Sequence, residues 1–515
     1  MTANPINIAS SRPLGVAKSL GGSVFDEATI FSRNVILTGE RPVLETPNGR
    51  WCLLNSLRLL SRVVGSLTVA LPFGLDEFEA EVRQLAGQVW SRGTVTLVNE
   101  VPPAALHSAT AILNIGSAVH PHLPWTTINA NGWLARVSSG TCALPIDTDQ
   151  DNPLAAMMAA SLGVTEVFKR VYGIPREKAP LLDTTQFSLF ELSASPSGLG
   201  PPLPPVVSLP DTVVVGAGAI GNGIALLLSQ LAVRGRIHII DKQDYAEENL
   251  GTCVVLDDKS WLGKSKAERL ASWLNNDDDL HCSGEQALVA DARSSAPVTN
   301  MSVELVLNGL DDVGARHDAQ LLWPSVLVDG GINAVGAAVI THRLDRPQGA
   351  CMRCSFRLPL LDERVLQARS TGLSYTSLDS DQGRRLTELD VSQADESKRS
   401  WLRKQLVQGK TVCATITDAQ SSSLGLELQN GFSPSVPFVA TASAALVVAQ
   451  ALKALVYPQA EFTQRFQMES LFIGPEASVG VLTAADSKCI CVAQRTIIDQ
   501  VVAERRRSQA GASTE

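Results

Sequence analysis

Hydrophobic residues in the second half of the chain alternate between short apolar runs and a helical pattern. Thr212–Val215 is a β-branched run that predicts a strand, and residues 222–232 carry apolar side chains at helical spacing. Residues 236–240 predict a second strand directly after this helix. The order strand, turn, helix, strand predicts a βαβ unit.

The first half contains a similar pattern. Residues 51–54 and 67–71 predict strands, and residues 56–64 predict the helix between them. The intervening turn, Asn55-Ser56, contains no glycine, so we expect no phosphate to bind there. Further strands are predicted at residues 94–98 and 111–115.

A weak internal repeat relates the two halves, because residues 152–172 align with residues 436–456 at a constant offset. With the two βαβ patterns, it predicts an α/β protein built from two Rossmann-like, doubly wound domains, the first degenerate and the second active. The uncharged stretch 435–450 is short and rich in Ala and Ser, and it predicts a buried helix rather than a membrane span. The expected boundaries are 1–200 for the first domain, 201–360 and 431–515 for the second, and 361–430 for an insert that forms a lid or a small domain. Residues 362–406 of this insert are expected to be charged, helical and without deep burial.

Composition narrows the class of protein. A length of 515 residues with 45% hydrophobic content supports several folded domains. The net charge of −9 argues against a nucleic-acid partner, whose phosphates require a basic surface. Nine cysteines in so long a chain are not a disulfide framework, and no secretory signal is visible in the first 22 residues. We therefore expect a cytoplasmic protein without a membrane partner.

A glycine-rich turn follows the first strand of the second half. Gly216 permits a tight turn, Gly218 lets the backbone approach a phosphate, and Gly221 lets the helix pack close to the strand. Asp241 ends the next strand, where a carboxylate can bind ribose hydroxyls. These residues alone also fit a nicotinamide-dependent oxidoreductase.

Charged residues near the same turn favour ATP with Mg²⁺ over hydride transfer. Lys266 opens the next helical segment and would neutralise phosphate charge. Asp311 follows the strand at residues 303–307 and would hold the metal, although it could also cap a helix. A nicotinamide-dependent oxidoreductase would have no evident use for Lys266 or Asp311 at these positions.

Two cysteine pairs form a second candidate site. Cys351 and Cys354 form a C-x-x-C pair, and Cys489 and Cys491 form a C-x-C pair. Four thiolates suit a structural zinc ion, and the long separation suits a clip between the middle and the end of a domain. Two unlinked thiol pairs are the alternative.

These motifs resemble those of the ThiF/MoeB adenylyltransferases and the ubiquitin-activating enzymes. The resemblance spans roughly residues 211–355 and 431–492 and is carried by Gly216, Gly218, Gly221, Asp241, Asn249-Leu250, Gly263, Lys266, Asp311 and Arg316. It implies ATP-dependent adenylation of the C-terminal glycine of a ubiquitin-like or sulfur-carrier protein. It assigns the ribose to Asp241, the phosphates to Asn249 and Lys266, and magnesium to Asp311. The family carries a corresponding zinc clip.

The resemblance also implies two catalytic residues outside the glycine turn. Ubiquitin-activating enzymes carry a catalytic cysteine in an insert of this kind, which points to Cys413 as the thioester nucleophile. Cys253 is the rival nucleophile, and a buried structural role for Cys413 is the alternative. Residues 30–37 are similar to the family's opening aromatic-Ser-Arg-Gln segment, so Arg33 is expected to reach the ATP across a pseudo-twofold interface.

The expected function is that of a bacterial ubiquitin-like-protein activating enzyme. It would bind ATP, Mg²⁺ and structural Zn²⁺, form a thioester on Cys413, and pass the modifier to a conjugating enzyme. The chain would act as a monomeric pseudo-dimer or as a homodimer. Three alternatives remain: a sulfur-carrier adenylyltransferase without thioester transfer, a nicotinamide-dependent oxidoreductase, and a non-enzymatic scaffold. The scaffold is retained because Thr252 stands where the family usually has an arginine.

Overall fold

The chain forms two compact units. In the computed structural model, the first unit comprises Met1–Phe356 with Ser435–Glu515, and the second comprises Arg357–Pro434. The structure describes residues 8–24, 26–147, 149–276, 279–346, 349–356, 363–379, 384–422 and 435–512. Both halves of the predicted duplication lie in the first unit.

The first half contains a seven-stranded sheet. Its strands are β1 (Asn34–Gly39), β2 (Ser66–Ala70), β3 (Thr94–Val98), β4 (Ala111–Ile115), β5 (Trp125–Asn131), β6 (Leu134–Ser138) and β7 (Thr185–Ser188). Its helices are α1 (Ile8–Ser19), α2 (Glu27–Ser32), α3 (Arg41–Leu44), α4 (Pro47–Val63), α5 (Asp76–Gln88), α6 (Pro103–Ser108) and α7 (Pro153–Val171). The strand order is β3-β2-β1-β4-β5-β6-β7, parallel as far as β5 and antiparallel beyond it.

The second half contains a nine-stranded sheet. Its strands are β8 (Val207–Ser208), β9 (Thr212–Val215), β10 (Val233–Ile240), β11 (Leu280–Glu285), β12 (Leu305–Asn308), β13 (Val326–Ile332), β14 (Ala337–Arg343), β15 (Arg465–Met468) and β16 (Ser478–Val481). Its first helices are α8 (Ala219–Gln230), α9 (Lys266–Leu274), α10 (Val289–Ala292), α11 (Ala296–Thr299), α12 (Val313–Gln320) and α13 (Met352–Ser355), with 3-10 turns at Glu247–Asn249 and Lys259–Trp261. The main strand order is β11-β10-β9-β12-β13-β14-β15-β16, and β8 pairs with β10.

The second unit is helical, and the chain then returns to the first unit. Helices α14 (Glu363–Thr371), α15 (Tyr375–Asp379), α16 (Glu388–Ser392), α17 (Arg399–Val407) and α18 (Val412–Ser422) lie in the second unit, with a 3-10 turn at Glu396–Lys398. Helices α19 (Pro437–Val456), α20 (Ile490–Ala493) and α21 (Arg495–Ala512) complete the second half.

The two sheets share one topology over seven strands, which confirms the prediction of two doubly wound domains. On β1, Thr38 pairs with Ala70 of β2 and Asn114 of β4. The matching strand β9 has Val215 paired with Ile240 of β10 and with Asn308 of β12. This register fixes which residues of the two halves correspond.

The predicted strand at residues 51–54 and the turn at Asn55-Ser56 are wrong. Both lie inside the 17-residue helix α4, and Asn55 and Ser56 are buried. Thr46 accepts a hydrogen bond from the Gly49 amide and Pro47 opens the first turn, so the helix begins before the apolar run. The strand that leads into the first half's turn is β1, in the segment expected to carry Arg33.

The repeated helices α7 and α19 pack against each other between the two sheets. Phe168 of α7 meets Phe438 of α19 with ring centroids 5.4 Å apart, and the Ser161 and Thr441 hydroxyls lie 3.0 Å apart. Helix α19 is the one described helix long and apolar enough to cross a membrane, but most of it is buried inside the protein. The prediction of a buried helix is therefore confirmed.

The expectation that the insert lacks deep burial is wrong. The second unit has its own small core, in which Leu402 and Val412 are fully buried and Leu373 and Val391 nearly so. Most of its described charged residues are exposed or half-buried, while Asp390 and Asp418 are buried and form ion pairs with Arg384 and Lys410.

Candidate functional site

The glycine turn joins β9 to α8 at the carboxyl end of the central strands. Gly216 has φ +90°, which an L side chain rarely adopts, and a Cβ on Gly221 would lie 2.0 Å from the Gly216 carbonyl oxygen. Among the described residues, no heavy atom lies within 4 Å of a Cβ built on Gly218. The turn therefore requires two glycines for its shape and is open at the third, beside the N-terminus of α8, where anions bind.

Asp241 braces this turn from the end of β10. One carboxylate oxygen accepts a hydrogen bond from the Ala217 amide at 2.7 Å, and the other accepts one from the Gln243 amide at 2.8 Å. The side-chain amide of Asn222 donates to the carbonyl oxygens of Ala217 and Gly218 at 2.8 and 3.0 Å. Asp241 is thus fixed next to the glycine turn, and the sequence did not indicate the bracing role of Asn222.

Lys266 and Asn249 lie on the segments that follow β10. Lys266 opens α9 and is buried, and its ammonium group donates to the Gln243 side chain at 2.8 Å. Asn249 ends the 3-10 turn and accepts a hydrogen bond from the Ala246 amide through its side chain. Because the backbone of Gln243 is also tied to Asp241, one residue links the acid and the lysine predicted to contact the nucleotide.

Asp311 follows β12, and its side chain is exposed. The cap of α12 is the next residue, Asp312, which accepts a hydrogen bond from the Ala315 amide at 2.7 Å. The predicted alternative role of Asp311 as a helix cap is therefore filled by its neighbour. Arg316 of α12 donates to the Asp311 carbonyl oxygen at 3.0 Å and holds this short loop in place.

Asp329 is a buried carboxyl group behind this loop that no sequence pattern indicated. Burial raises its pKa to about 6, although Arg316 and Asn308 oppose this shift. The Arg316 guanidinium donates to Asp329 at 3.1 Å and lies 4.4 Å from the centre of the Phe356 ring. Asp329 and Phe356 together orient the Arg316 side chain against the loop that carries Asp311.

An arginine from the first half lies beside the 3-10 turn that ends in Asn249. Helix α1 packs against that turn, and burial lowers the pKa of Arg12 while Cys253 and Glu248 raise it. Arg33 instead donates to the Arg170 carbonyl oxygen at 2.8 Å, within the first half. The role expected of Arg33 stays a prediction, and Arg12 is a first-half arginine that lies beside the turn ending in Asn249.

The corresponding edge of the first half differs in its chemistry. With Asn114 matched to Asn308 through the sheet register, Leu71 corresponds to Asp241 and Ser117 to Asp311. Both acidic side chains of the second half are therefore replaced by neutral ones.

A glutamate fills the turn after β1. The Glu40 carboxylate accepts hydrogen bonds from the Asn114 side chain at 2.9 Å and from the amides of Ser117 and Ala118 at 2.8 and 2.7 Å. Burial alone would raise the pKa of the Glu40 carboxyl group, but the hydrogen bonds that it accepts have the larger combined effect. The pKa of Glu40 is therefore lowered from its ordinary value. These two amides, which correspond to those of Asp311 and Asp312 in the second half, are thus satisfied by the protein's own carboxylate.

The four cysteines of the predicted clip come together. Their sulfur atoms all lie within 4.8 Å of one another, and the separations Cys351–Cys354, Cys351–Cys489 and Cys354–Cys491 are 3.8, 3.6 and 3.6 Å. Tetrahedral zinc with bonds of about 2.3 Å places its sulfurs about 3.8 Å apart, whereas a disulfide bond is near 2 Å. The cluster can therefore hold a metal ion, and its four ligands leave no open position.

Cys413 and Cys253 differ in accessibility. Cys413 is exposed and is the second residue of α18. Lys410, three residues before Cys413, forms an ion pair with Asp418. Cys253 is fully buried, and burial raises its pKa to about 11 although Lys266, Arg12 and Arg62 oppose this.

Comparison with known proteins agrees with this arrangement. Residues 210–486 match the family model described as the ThiF family, and residues 36–181 match a model described as the BilD N-terminal domain. An "Uncharacterized protein y4jF" of Sinorhizobium fredii (strain NBRC 101917 / NGR234) is 30% identical over 228 residues, 42% of this chain. The match spans 41% of that relative's length.

Solved structures of MccB are similar over part of the chain. E. coli MccB with ATP is 14% identical with a TM-score of 0.35, and the match covers 55% of this chain and 67% of that one. The Microcin C7 biosynthetic enzyme MccB in complex with N-formylated MccA is 12% identical with a TM-score of 0.34, and the match covers 71% of this chain and 97% of that one.

Proposed function

This chain belongs to the ThiF family of adenylating enzymes, and we propose that its second half uses ATP to adenylate the C-terminal carboxylate of a ubiquitin-like protein. The main observation in support of this activity is the open glycine turn, with Asp241, Lys266 and Asp311 around one edge of the sheet. The corresponding edge of the first half has no such set of charged residues among those described.

The residues at this edge have separate roles in adenylation. Asp241 binds the ribose, while Asn249 and Lys266 bind the phosphates. The modifier's carboxylate attacks the α-phosphorus of ATP, the bond to the β-phosphate oxygen breaks, and pyrophosphate leaves. Lys266 and Arg12 stabilise the negative charge of this transition state, because positioned cations act strongly at a partly buried site.

Mg²⁺ and Zn²⁺ have different roles. The Asp311 carboxylate, exposed and not used as a helix cap, would hold Mg²⁺, which prefers oxygen ligands and neutralises phosphate charge. The residues Cys351, Cys354, Cys489 and Cys491 would hold zinc, which stabilises the end of the second half.

Cys413 would take the activated modifier in a second reaction. Its thiolate attacks the acyl carbon of the adenylate, a thioester forms, and AMP leaves with the electrons of the broken acyl–phosphate bond. The modifier then passes to a conjugating enzyme. The exposure of Cys413 and the burial of Cys253 support this choice of nucleophile.

One chain would work as a pseudo-dimer, because the packed helices α7 and α19 already join two domains of equal topology. The acidic composition favours protein over nucleic-acid partners. We place this activity in the bacterial cytoplasm, where thiols stay reduced.

The chemistry is tested with ATP and a panel of ubiquitin-like proteins that end in glycine. Pyrophosphate exchange reports adenylation, and a thiol-sensitive adduct reports thioester formation. Lys266→Ala should lower exchange by about 100-fold, while Lys264→Ala, two residues away on an exposed side chain, should not. Tight NADH binding without ATP-dependent exchange would contradict the proposal and favour an oxidoreductase.

The nucleophile is tested with a matched pair of exposed cysteines. Cys413→Ala should keep exchange and lose the adduct, whereas Cys142→Ala, in the first half, should keep both. An adduct that persists in Cys413→Ala moves the nucleophile elsewhere. Strong exchange with no adduct in the wild-type protein favours the sulfur-carrier adenylyltransferase.

A further inference from the structure

Helix α4 of the first half directs three polar side chains at the second half. Asn55, Arg58 and Arg62 are spaced three and four residues apart, so they share one face of the helix. The amides of Asn55 and Gln230 exchange two hydrogen bonds, at 2.8 and 3.3 Å. Gln230 is the last residue of α8, the helix that begins at the glycine turn. One end of this face therefore contacts the helix that supports the nucleotide turn.

The other end of this face binds the segment that follows Asn249. The Arg62 side chain is completely buried and donates to Asp257 at 2.8 Å, and Arg58 donates to the other oxygen of Asp257 at 2.6 Å. The same Arg62 nitrogen lies 3.3, 3.1 and 3.4 Å from three backbone carbonyl oxygens, those of Cys253, Val254 and Leu256. A buried guanidinium with this set of acceptors fixes the path of the whole segment.

Backbone hydrogen bonds carry this constraint to Asn249. The amide of Cys253 donates to the Asn249 carbonyl oxygen at 2.8 Å, and the amide of Thr252 donates to the same oxygen at 3.0 Å. The peptide carbonyl of Cys253, one turn away, is the group that Arg62 holds. Asn249 is therefore separated from Arg62 by a single hydrogen-bonded turn, and no residue of the first half needs to touch the nucleotide to influence it.

We propose that Arg62, supported by Arg58 and Asp257, positions Asn249 for the phosphates, so that the first half sets the ATP affinity of the second. Arg62 is a positioning residue and makes no contact with the nucleotide. The inference rests on the proposed function, since it concerns the same site. The first half thereby adds a buried polar support to the segment that carries Asn249.

The test measures binding of Mg²⁺ with the non-hydrolysable analogue AMPCPP to the full chain by calorimetry. Arg62→Met should weaken Kd by about tenfold, because a phosphate contact displaced by a fraction of an ångström loses much of its value. Arg62→Lys, which keeps the charge and one donor, should recover part of the loss. The matched control is Arg136→Met, which breaks the ion pair with Asp147 inside the first half and should leave Kd unchanged.

The kinetic and dynamic readouts separate positioning from general stability. Arg62→Met should raise the KM for ATP more than it lowers kcat in pyrophosphate exchange, and it should speed hydrogen exchange of the amides at residues 252–253. An unchanged Kd in a folded Arg62→Met protein would overturn the inference. If Arg62→Met does not fold, the Kd of Arg58→Met is measured instead, and an unchanged Kd there would likewise overturn the inference. The Arg58 side chain is partly exposed, so its replacement should destabilise the fold less than that of Arg62.

Failure of the proposed function and failure of the positioning role give different results. If the wild-type chain binds no AMPCPP, the proposed function is wrong and the positioning role falls with it. If the wild-type chain binds AMPCPP and both arginine variants bind it equally well, only the positioning role is wrong.

Discussion

The two halves of the first unit share a sheet topology but differ in the turn that follows β1 in the first half and β9 in the second. After β9, the chain enters a glycine turn that leaves Gly218 open. After β1, it enters Glu40, whose carboxylate binds the amides of Ser117 and Ala118. An open turn and a turn that carries its own buried carboxylate thus occur at the same position of one framework.

The comparison also shows what the degenerate half has kept. It lacks two acidic groups of the proposed nucleotide site, since Leu71 and Ser117 stand where Asp241 and Asp311 lie in the other half. The face of α4 that meets the second half remains polar, buried and hydrogen-bonded. Loss of the binding site together with a specific interface is the pattern expected of a domain that supports its partner.

The largest expected difference between the halves concerns Asp311, which follows β12, and its counterpart Ser117, which follows β4. Asp311→Ala should lower pyrophosphate exchange by about 100-fold or more, because the carboxylate proposed to hold Mg²⁺ beside the reacting phosphates is lost. Ser117→Ala, at the corresponding position of the first half, should leave the exchange rate unchanged. A similar loss in both variants would mean that both halves take part in the chemistry.

A second difference separates two arginines of the first half. Arg12→Ala should lower exchange by at least about tenfold, because it removes a cation beside the turn that ends in Asn249. Arg33→Ala should have the smaller effect, since its guanidinium is engaged by the Arg170 carbonyl oxygen. The reverse order of effects would restore the assignment made from the sequence.

Metal removal should affect the second half selectively. We expect about one zinc ion per chain, and strong chelation should lower the Tm because the ion ties α13 to α20. Cys351→Ser should bind less zinc and melt at a lower temperature, whereas Cys142→Ser should match the wild type. A metal-free protein with a Cys351–Cys354 disulfide would contradict the assignment.

The smallest expected effect on activity comes from the first half's own carboxylate. Glu40→Gln should destabilise the fold by about 1–3 kcal/mol, because a charged acceptor of several hydrogen bonds is replaced by a neutral amide. The exchange rate of the folded variant should not change. Glu45→Gln, on a half-exposed side chain of the same segment, should leave unfolding midpoints in denaturant unaltered. A large loss of exchange in Glu40→Gln would show that the first half's turn is active.

The sequence predicted best those features that depend on nearby residues. The glycine turn, β9 and β10 and the cysteine pairs follow from local backbone and ligand chemistry. The run at residues 51–54 was misassigned because four apolar residues suit a buried strand and a buried helix equally, and only the cap at Thr46 separates them.

The supporting contacts could not be found from local patterns. Arg62 meets Asp257 across 195 residues, and Arg58 meets it across 199. Arg12 lies before any recognisable motif, and its role depends on the packing of α1 against the other half. Glu40 resembles an ordinary surface acid in the sequence, and only the structure reveals that it binds the amides after β4.

The stoichiometry of nucleotide binding tests the central claim most directly. Calorimetric titration of the full chain with Mg²⁺ and AMPCPP should give one site per chain, and Lys266→Ala should remove or strongly weaken it. Two sites per chain, or a single site that Lys266→Ala leaves intact, would contradict the division into one active and one degenerate half.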